Sequence, residues 1–298
     1  MKDDFSKELI NSLIEDKKSE RRLKIITRVS VLAIFVILIF SSFLFPINND
    51  IYSQKHTAVI KIDGLISSTE ETNTENIISL VSKAMKNEYC NNIILKINSS
   101  GGSATQSKII FDEINKLKST NNKKIFSVIE DVGASGGYYI AASGDKIFSS
   151  PSSIVGSIGV RLDSINIKSL MSKLGIKSQT LFSGENKSIL DPFEDMTEKH
   201  KIHLQKLLIN IHQEFIKDIK SSRKNLINND IIFTGLFWTG SEAIKLGLID
   251  EIASIYDVNT KYFNNDHMIT YNKKSTYIER LLKSTINIIT NNALSLIH

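Results

Sequence analysis

Within "EDVGASGGYYIAASGDKIF", residues 130–148, Ser135 stands between Ala134 and the pair Gly136–Gly137, just ahead of a short apolar helical stretch. Such small neighbours suit a sharp turn that exposes one hydroxyl and lets a ligand approach the backbone closely. A serine placed so is a candidate nucleophile. It then needs a base to take its proton and donors to hold the resulting oxyanion. A second glycine turn, "INSSGGSAT" at 97–105, offers the amides of Gly101 and Gly102, and Gly136 offers another at the start of the helix after Ser135. The base is less legible. None of the six histidines lies in a comparable turn, and a neutral lysine can do the same work. With 37 Lys and Arg, composition alone does not choose one.

The elements that must carry these turns follow a βαβ alternation. Residues 57–64, 91–98 and 123–130 read as strands, each ended by a turn signal, and 75–86 and 104–117 place apolar residues at helical spacing. A mainly parallel sheet with helices packed on it follows, and turns after the carboxyl ends of its strands share one edge, where ligands bind. Beyond it, 164–176 reads as a helix ended by Gly175 and 177–182 as a strand. A long helix starts near Thr197, capped by Asp195 or Thr197, and one more helix lies in 239–254, closed by Gly247.

Composition narrows the setting. The chain of 298 residues is 41% hydrophobic and 23% charged, an ordinary globular mix, and its net charge of +5 comes from lysines scattered among Asn and Ile. No basic stripe with interleaved aromatics points to nucleic acid. A single cysteine, Cys90, excludes an internal disulfide and fits core packing. His200, His203 and His212 have spacing compatible with one helix face, yet a polar surface accounts for them better than zinc does, and no cofactor or metal is expected. Residues 29–47 carry no charge and make about 28 Å of helix against a hydrocarbon core of roughly 30 Å. Lys17, Lys18, Arg21, Arg22, Lys24 and Arg28 precede that span, while Asn48, Asn49 and Asp50 follow it. The asymmetry predicts an uncleaved anchor with the N-terminus in the cytoplasm and the rest of the chain outside the cytoplasmic membrane. The expected organisation is 1–28 cytoplasmic, 29–47 transmembrane, 48–56 linker, 57–255 catalytic domain and 256–298 a C-terminal extension.

The ordered set "INSSGGSAT", "GASGGYYIAASGDKIFSSPSSIVGSIGV", "SGENKSILDP" and "GLFWTGSEAIKLGLIDEI" resembles the signal peptide peptidase A family, in its short form, over about 57–255. The resemblance implies a Clp-protease/crotonase-like α/β fold and a membrane-anchored serine peptidase. It implies Ser135 as nucleophile, Lys187 as general base, Ser157 as the hydroxyl that orients the lysine, and Gly102 and Gly136 as oxyanion amides. It also implies hydrophobic peptides such as cleaved signal peptides as substrates, and a ring-like homo-oligomer. Ser100 stands where the family's first turn usually has Pro. A lysine holds its proton up to about pH 10.4, so a lysine base near neutrality needs burial that disfavours the ammonium by about 4 kcal/mol. Glu185 is expected to point away, because an ion pair would oppose that. Two other readings compete: an inactive membrane-tethered peptide-binding scaffold of the same fold, and an acyl-CoA enzyme, against which the anchor and Ser135 both count.

Overall fold

A computed structural model describes residues 17–18, 20–37 and 50–271. The chain divides into two compact units, one up to Ile51 and one from Tyr52 onward. In the first, residues 20–37 are helical (α1) and their apolar side chains, Leu32 and Phe35 among them, are exposed. Among the described residues no helix is long and apolar enough to cross a membrane. The expected span, 29–47, continues past α1 into 38–47, which lie outside the described residues, as do 272–298 of the expected C-terminal extension.

The second unit is built on an eight-stranded sheet. Strands β1 (His56–Ile66), β2 (Cys90–Gly102), β3 (Ile125–Ala134), β5 (Ile154–Gly156), β6 (Phe237–Thr239) and β8 (His267–Tyr271) run in the order β6-β5-β3-β2-β1-β8. Strand β4 (Lys146–Ser149) pairs with β3, and β7 (Glu251–Ile252) with β4. Every pairing is parallel except β5 with β6. The helices are α2 (Thr74–Lys86), α3 (Ala104–Ser119), α4 (Gly136–Ala141), α5 (Lys168–Lys173), α6 (Glu198–Ser222), α7 (Gly240–Ala243) and α8 (Ile255–Phe263).

The central strands are mostly apolar because helices cover much of both faces of the sheet, with Lys61 of β1 and Lys96 of β2 interrupting the runs toward their carboxyl ends. Ile93, Leu95 and Ile97 of β2 point into the main core with Ile77, Val81 and Ile110, whereas Ile94 joins Val59, Phe126, Phe148, Val258 and Phe263 on the opposite face. Cys90 is buried among apolar neighbours, its thiol pushed up by that burial. Helix α2 starts where the Asn73 side chain accepts from Asn76 N–H, α3 where Ser103 accepts from Gln106 N–H, and α6 where Thr197 accepts from His200 N–H.

Three expectations from sequence are corrected. Residues 177–182 form no strand: they are exposed, Leu181 completely so, and no neighbouring strand takes up their backbone groups among the described residues. The helix expected over 164–176 is confined to α5. The helix expected in 239–254 stops after α7. Gly247 adopts φ 75°, and the Asp250 carboxylate accepts from Ile147 N–H at 2.7 Å, drawing the chain beside β4 as β7. The sheet also reaches past residue 255, since β8 pairs in parallel with β1 from His56↔His267 to Ile60↔Tyr271.

Candidate active site

Strand β3 ends at Ala134, and Ser135 turns the chain directly into α4. Its backbone, φ 52° and ψ −120°, lies where glycine is at ease and a side chain costs about 1–3 kcal/mol. Neighbouring groups hold it there. Ser135 N–H donates to the Gly156 carbonyl at 2.8 Å, and the Ser135 carbonyl accepts from Tyr139 N–H at 2.9 Å. The Ser135 hydroxyl does not cap α4 and so stays available at the mouth of the turn, half-buried.

The two glycine turns meet, as their shared sheet edge requires. A Cβ at Gly101 would stand 2.7 Å from Gly136 N and 2.9 Å from Ser135 Cβ, and one at Gly102 would stand 2.2 Å from the Ile66 carbonyl oxygen. Their φ values, 104° and 149°, exclude most side chains in any case. Gly101 N–H is taken by the Ser99 hydroxyl at 3.1 Å, which itself donates to the Gly64 carbonyl at 2.5 Å. That hydroxyl braces the turn whose usual proline is here Ser100, and it leaves Gly102 as the turn's candidate oxyanion amide.

Ser157 enters from β5. The register Ala134↔Gly156 puts Ser135 and Ser157 each one residue beyond a paired position, and Ser157 also has positive φ, 54°. Its N–H donates to the Leu236 carbonyl at 2.7 Å. Ser135, Gly136, Gly101, Gly102 and Ser157 are thus assembled by strand ends alone.

Lys187 is placed differently. It sits in an exposed turn of the excursion between β5 and α6, with its backbone N–H on the Gly184 carbonyl, and its side chain is exposed. No hydrogen bond joins its amine to Ser135 or Ser157 among the described residues. Glu185 points to Lys199, whose ammonium holds that carboxyl below the usual range, and among the described residues Glu185 forms no ion pair with Lys187. Among the described residues no cluster of His, Cys, Asp or Glu is disposed to hold a metal ion.

Sequence reasoning passed over the two tyrosines behind the nucleophile. Tyr138 is fully buried and donates to the Leu248 carbonyl at 2.7 Å, beside the Arg223–Asp250 ion pair. Tyr139 donates to Asp218 of α6, which also pairs with Lys108 of α3 at 3.0 Å, and its ring stacks on Phe215 with centroids 4.2 Å apart. Burial pushes both phenols well above their ordinary value, and for Tyr139 the Asp218 carboxylate adds to the effect. These pegs fix α4, and with it Ser135, to the rest of the fold.

A half-buried serine whose hydroxyl caps nothing, at a strained strand-to-helix turn beside glycine amides on the carboxyl edge of a parallel sheet, has the arrangement of a serine hydrolase. Residues 117–266 match the model of peptidase family S49. The chain is 37% identical over 214 residues to a protein of Brucella melitensis named "Na(+)/H(+) antiporter NhaA", a match covering 70% of this chain and 29% of that one, so most of that protein lies outside it. It is 30% identical over 244 residues to "Probable protease SohB" of Haemophilus influenzae, covering 79% of this chain and 68% of the relative. It is 29% identical over 210 residues to "Putative signal peptide peptidase SppA" of Enterococcus faecium, covering 67% of this chain and 60% of the relative. The chain belongs to peptidase family S49, the signal peptide peptidase A family of serine peptidases.

Proposed function

We propose that the protein is a membrane-anchored serine endopeptidase that cleaves hydrophobic peptides, remnant signal peptides among them, with a Ser135–Lys187 dyad. The observation that carries the reading is the strained, uncapped Ser135 against the Gly101–Gly102 turn. Neutral Lys187 takes the Ser135 proton as Oγ attacks the peptide carbonyl, and the amides of Gly102 and Gly136 receive the oxyanion. The tetrahedral intermediate collapses as the lysine gives its proton to the leaving amine. Water then attacks the acyl-enzyme, losing a proton to the Lys187 amine, and as the acyl C–Oγ bond breaks Lys187 returns that proton to Ser135 Oγ, releasing the second product as a carboxylic acid. Ser157 orients the amine.

A single copy leaves Lys187 exposed, whereas a lysine base needs burial. Assembly supplies it in this reading. Apolar side chains of the excursion, Ile165, Leu174, Leu181 and Phe182, are all more than half exposed and would be covered in a homo-oligomer. The uncharged stretch 29–47 and its basic flank support a single-pass anchor in the cytoplasmic membrane with the catalytic unit outside.

The lack of any bond from Lys187 to either serine favours a second reading, an inactive peptide-binding scaffold of the same fold. Labelling by a fluorophosphonate separates the two. The enzyme is expected to be labelled at Ser135 and to release peptide fragments, both lost in Ser135→Ala; an unlabelled, folded wild type would leave only the scaffold.

A further inference from the structure

Helix α6 carries an inward stripe at helical spacing: His200, Leu204, Leu208, His212, Phe215 and Ile219. Phe215 and Ile219 are core residues, so the pattern calls for an apolar side chain at 212. Histidine is there instead, and its Nε2 lies 3.1 Å from the carbonyl oxygen of Ile158. A carbonyl only accepts, so Nε2 carries the proton and donates. Ile158 is fully buried and follows Ser157.

The turn bearing Ser157 is therefore held at three successive residues. The Gly156 carbonyl accepts from Ser135 N–H, Ser157 N–H donates to the Leu236 carbonyl, and the Ile158 carbonyl accepts from His212. A residue with positive φ keeps that conformation only where its surroundings over-determine it. One and nearly two helical turns further along α6, Phe215 stacks on Tyr139 and Asp218 accepts from the Tyr139 hydroxyl. Successive positions of one helix thus grip both the element behind Ser135 and the turn that presents Ser157.

We propose that His212 is a positioning residue of the peptidase, setting the Ser157 hydroxyl relative to Ser135 through its hydrogen bond to the Ile158 carbonyl. The proposal rests on the Ser135–Lys187–Ser157 reading. The bond needs only the Nε2 proton, which both the neutral tautomer and the imidazolium possess, so an amide donor can replace it.

The test uses the full chain in detergent and the rate at which a fluorophosphonate labels Ser135, with circular dichroism melting as the folding control. His212→Leu suits the apolar stripe and should fold, yet label about tenfold more slowly or worse, the scale seen when an outer-shell orienting group is lost. His212→Gln, which keeps an N–H donor for the Ile158 carbonyl, should recover most of the wild-type labelling rate. In Ser157→Ala, adding His212→Leu should change nothing further, because the two act in series. Wild-type labelling by His212→Leu, failure of the Gln variant to recover while it melts like wild type, or an undiminished effect of His212→Leu in Ser157→Ala would each overturn the proposal. Ser135→Ala and Ser157→Ala alone judge the underlying reading: labelling that survives the first, or is unaffected by the second, refutes that reading and the proposal with it. A slowed Ser157→Ala beside a normal His212→Leu refutes the proposal alone.

Discussion

Ser135 and Ser157 each stand one residue past the paired ends of neighbouring strands β3 and β5, joined through Gly156, whose carbonyl accepts the Ser135 N–H at 2.8 Å. Gly156 makes that juxtaposition possible: its φ is 111°, and a Cβ there would lie 2.9 Å from the Trp238 ring. Gly156→Ala is expected to lower stability by about 1–3 kcal/mol, through strain and crowding, and to slow peptide cleavage sharply. Ser157→Ala, which leaves the backbone intact, should melt like wild type and lose less activity than Ser135→Ala. Melting and kcat/KM for the three variants check this; a Gly156→Ala protein with wild-type stability and rate would show that the two strand ends need not be so close.

The first glycine turn gives a second expectation. A methyl at Gly102 would press on the Ile66 carbonyl at 2.2 Å, forcing the turn to move. Gly102→Ala should reduce kcat by about 10²–10³, the scale of losing one oxyanion donor, with little change in KM. Gly175→Ala is the control, because its φ is also positive, 72°, its Cβ would meet open space, and it lies outside the glycine turns. Equal kinetic losses in both would assign the effect to backbone strain in general and remove Gly102 from the chemistry.

Alkaline pH should loosen the nucleophile helix. Tyr138 and Tyr139 keep their protons in the folded protein beyond the pH, about 10, at which phenols of the unfolded chain ionise. Folded values raised above unfolded ones mean that stability is complete below pH 10 and declines as pH rises past it. Melting temperatures between pH 8 and 11.5 should fall beyond pH 10, and less steeply in Tyr139→Phe. The same slope in Tyr139→Phe and Tyr138→Phe as in wild type would rule out these phenols as the cause.

Assembly is expected to accompany activity. Phe182 and Leu181 lie near Lys187 in the exposed excursion, and a charge at either should be tolerated by a lone chain yet disfavour burial between copies. Leu181→Asp and Phe182→Asp should sediment as smaller species than wild type and cleave hydrophobic peptides poorly. A fully active monomer at micromolar concentration would break the link between assembly and the buried base.

The central strands and first helices were legible in the sequence because their signals are local. Ile93–Leu95 is an apolar run covered on both faces, Thr197 caps α6, and the Gly101–Gly102 and Gly136–Gly137 pairs mark turns on one sheet edge. The resemblance supplied Lys187 and Ser157, whose own surroundings in sequence single out neither. Other features depend on distant partners. Strands β5 and β7 are three and two residues long and exist only because β3 and β4 lie beside them. Tyr139 finds Asp218 and Tyr138 finds Leu248 across most of the fold, and nothing near the tyrosines announces either partner. The run 177–182 has strand-like residues but no neighbouring strand among the described residues, so local preference alone misled there.

The most direct test of the dyad is the turnover of Lys187→Arg. Arginine keeps the positive charge and most of the length but does not give up its proton in proteins, so it cannot act as the base. Measured as kcat/KM on a hydrophobic peptide across pH 6 to 10, with circular dichroism confirming the fold, Lys187→Arg should be as inactive as Lys187→Ala and Ser135→Ala, and combining Lys187→Arg with Ser135→Ala should cost little more than either alone. A folded Lys187→Arg protein that keeps near-wild-type turnover would contradict the Ser–Lys mechanism and place the base elsewhere.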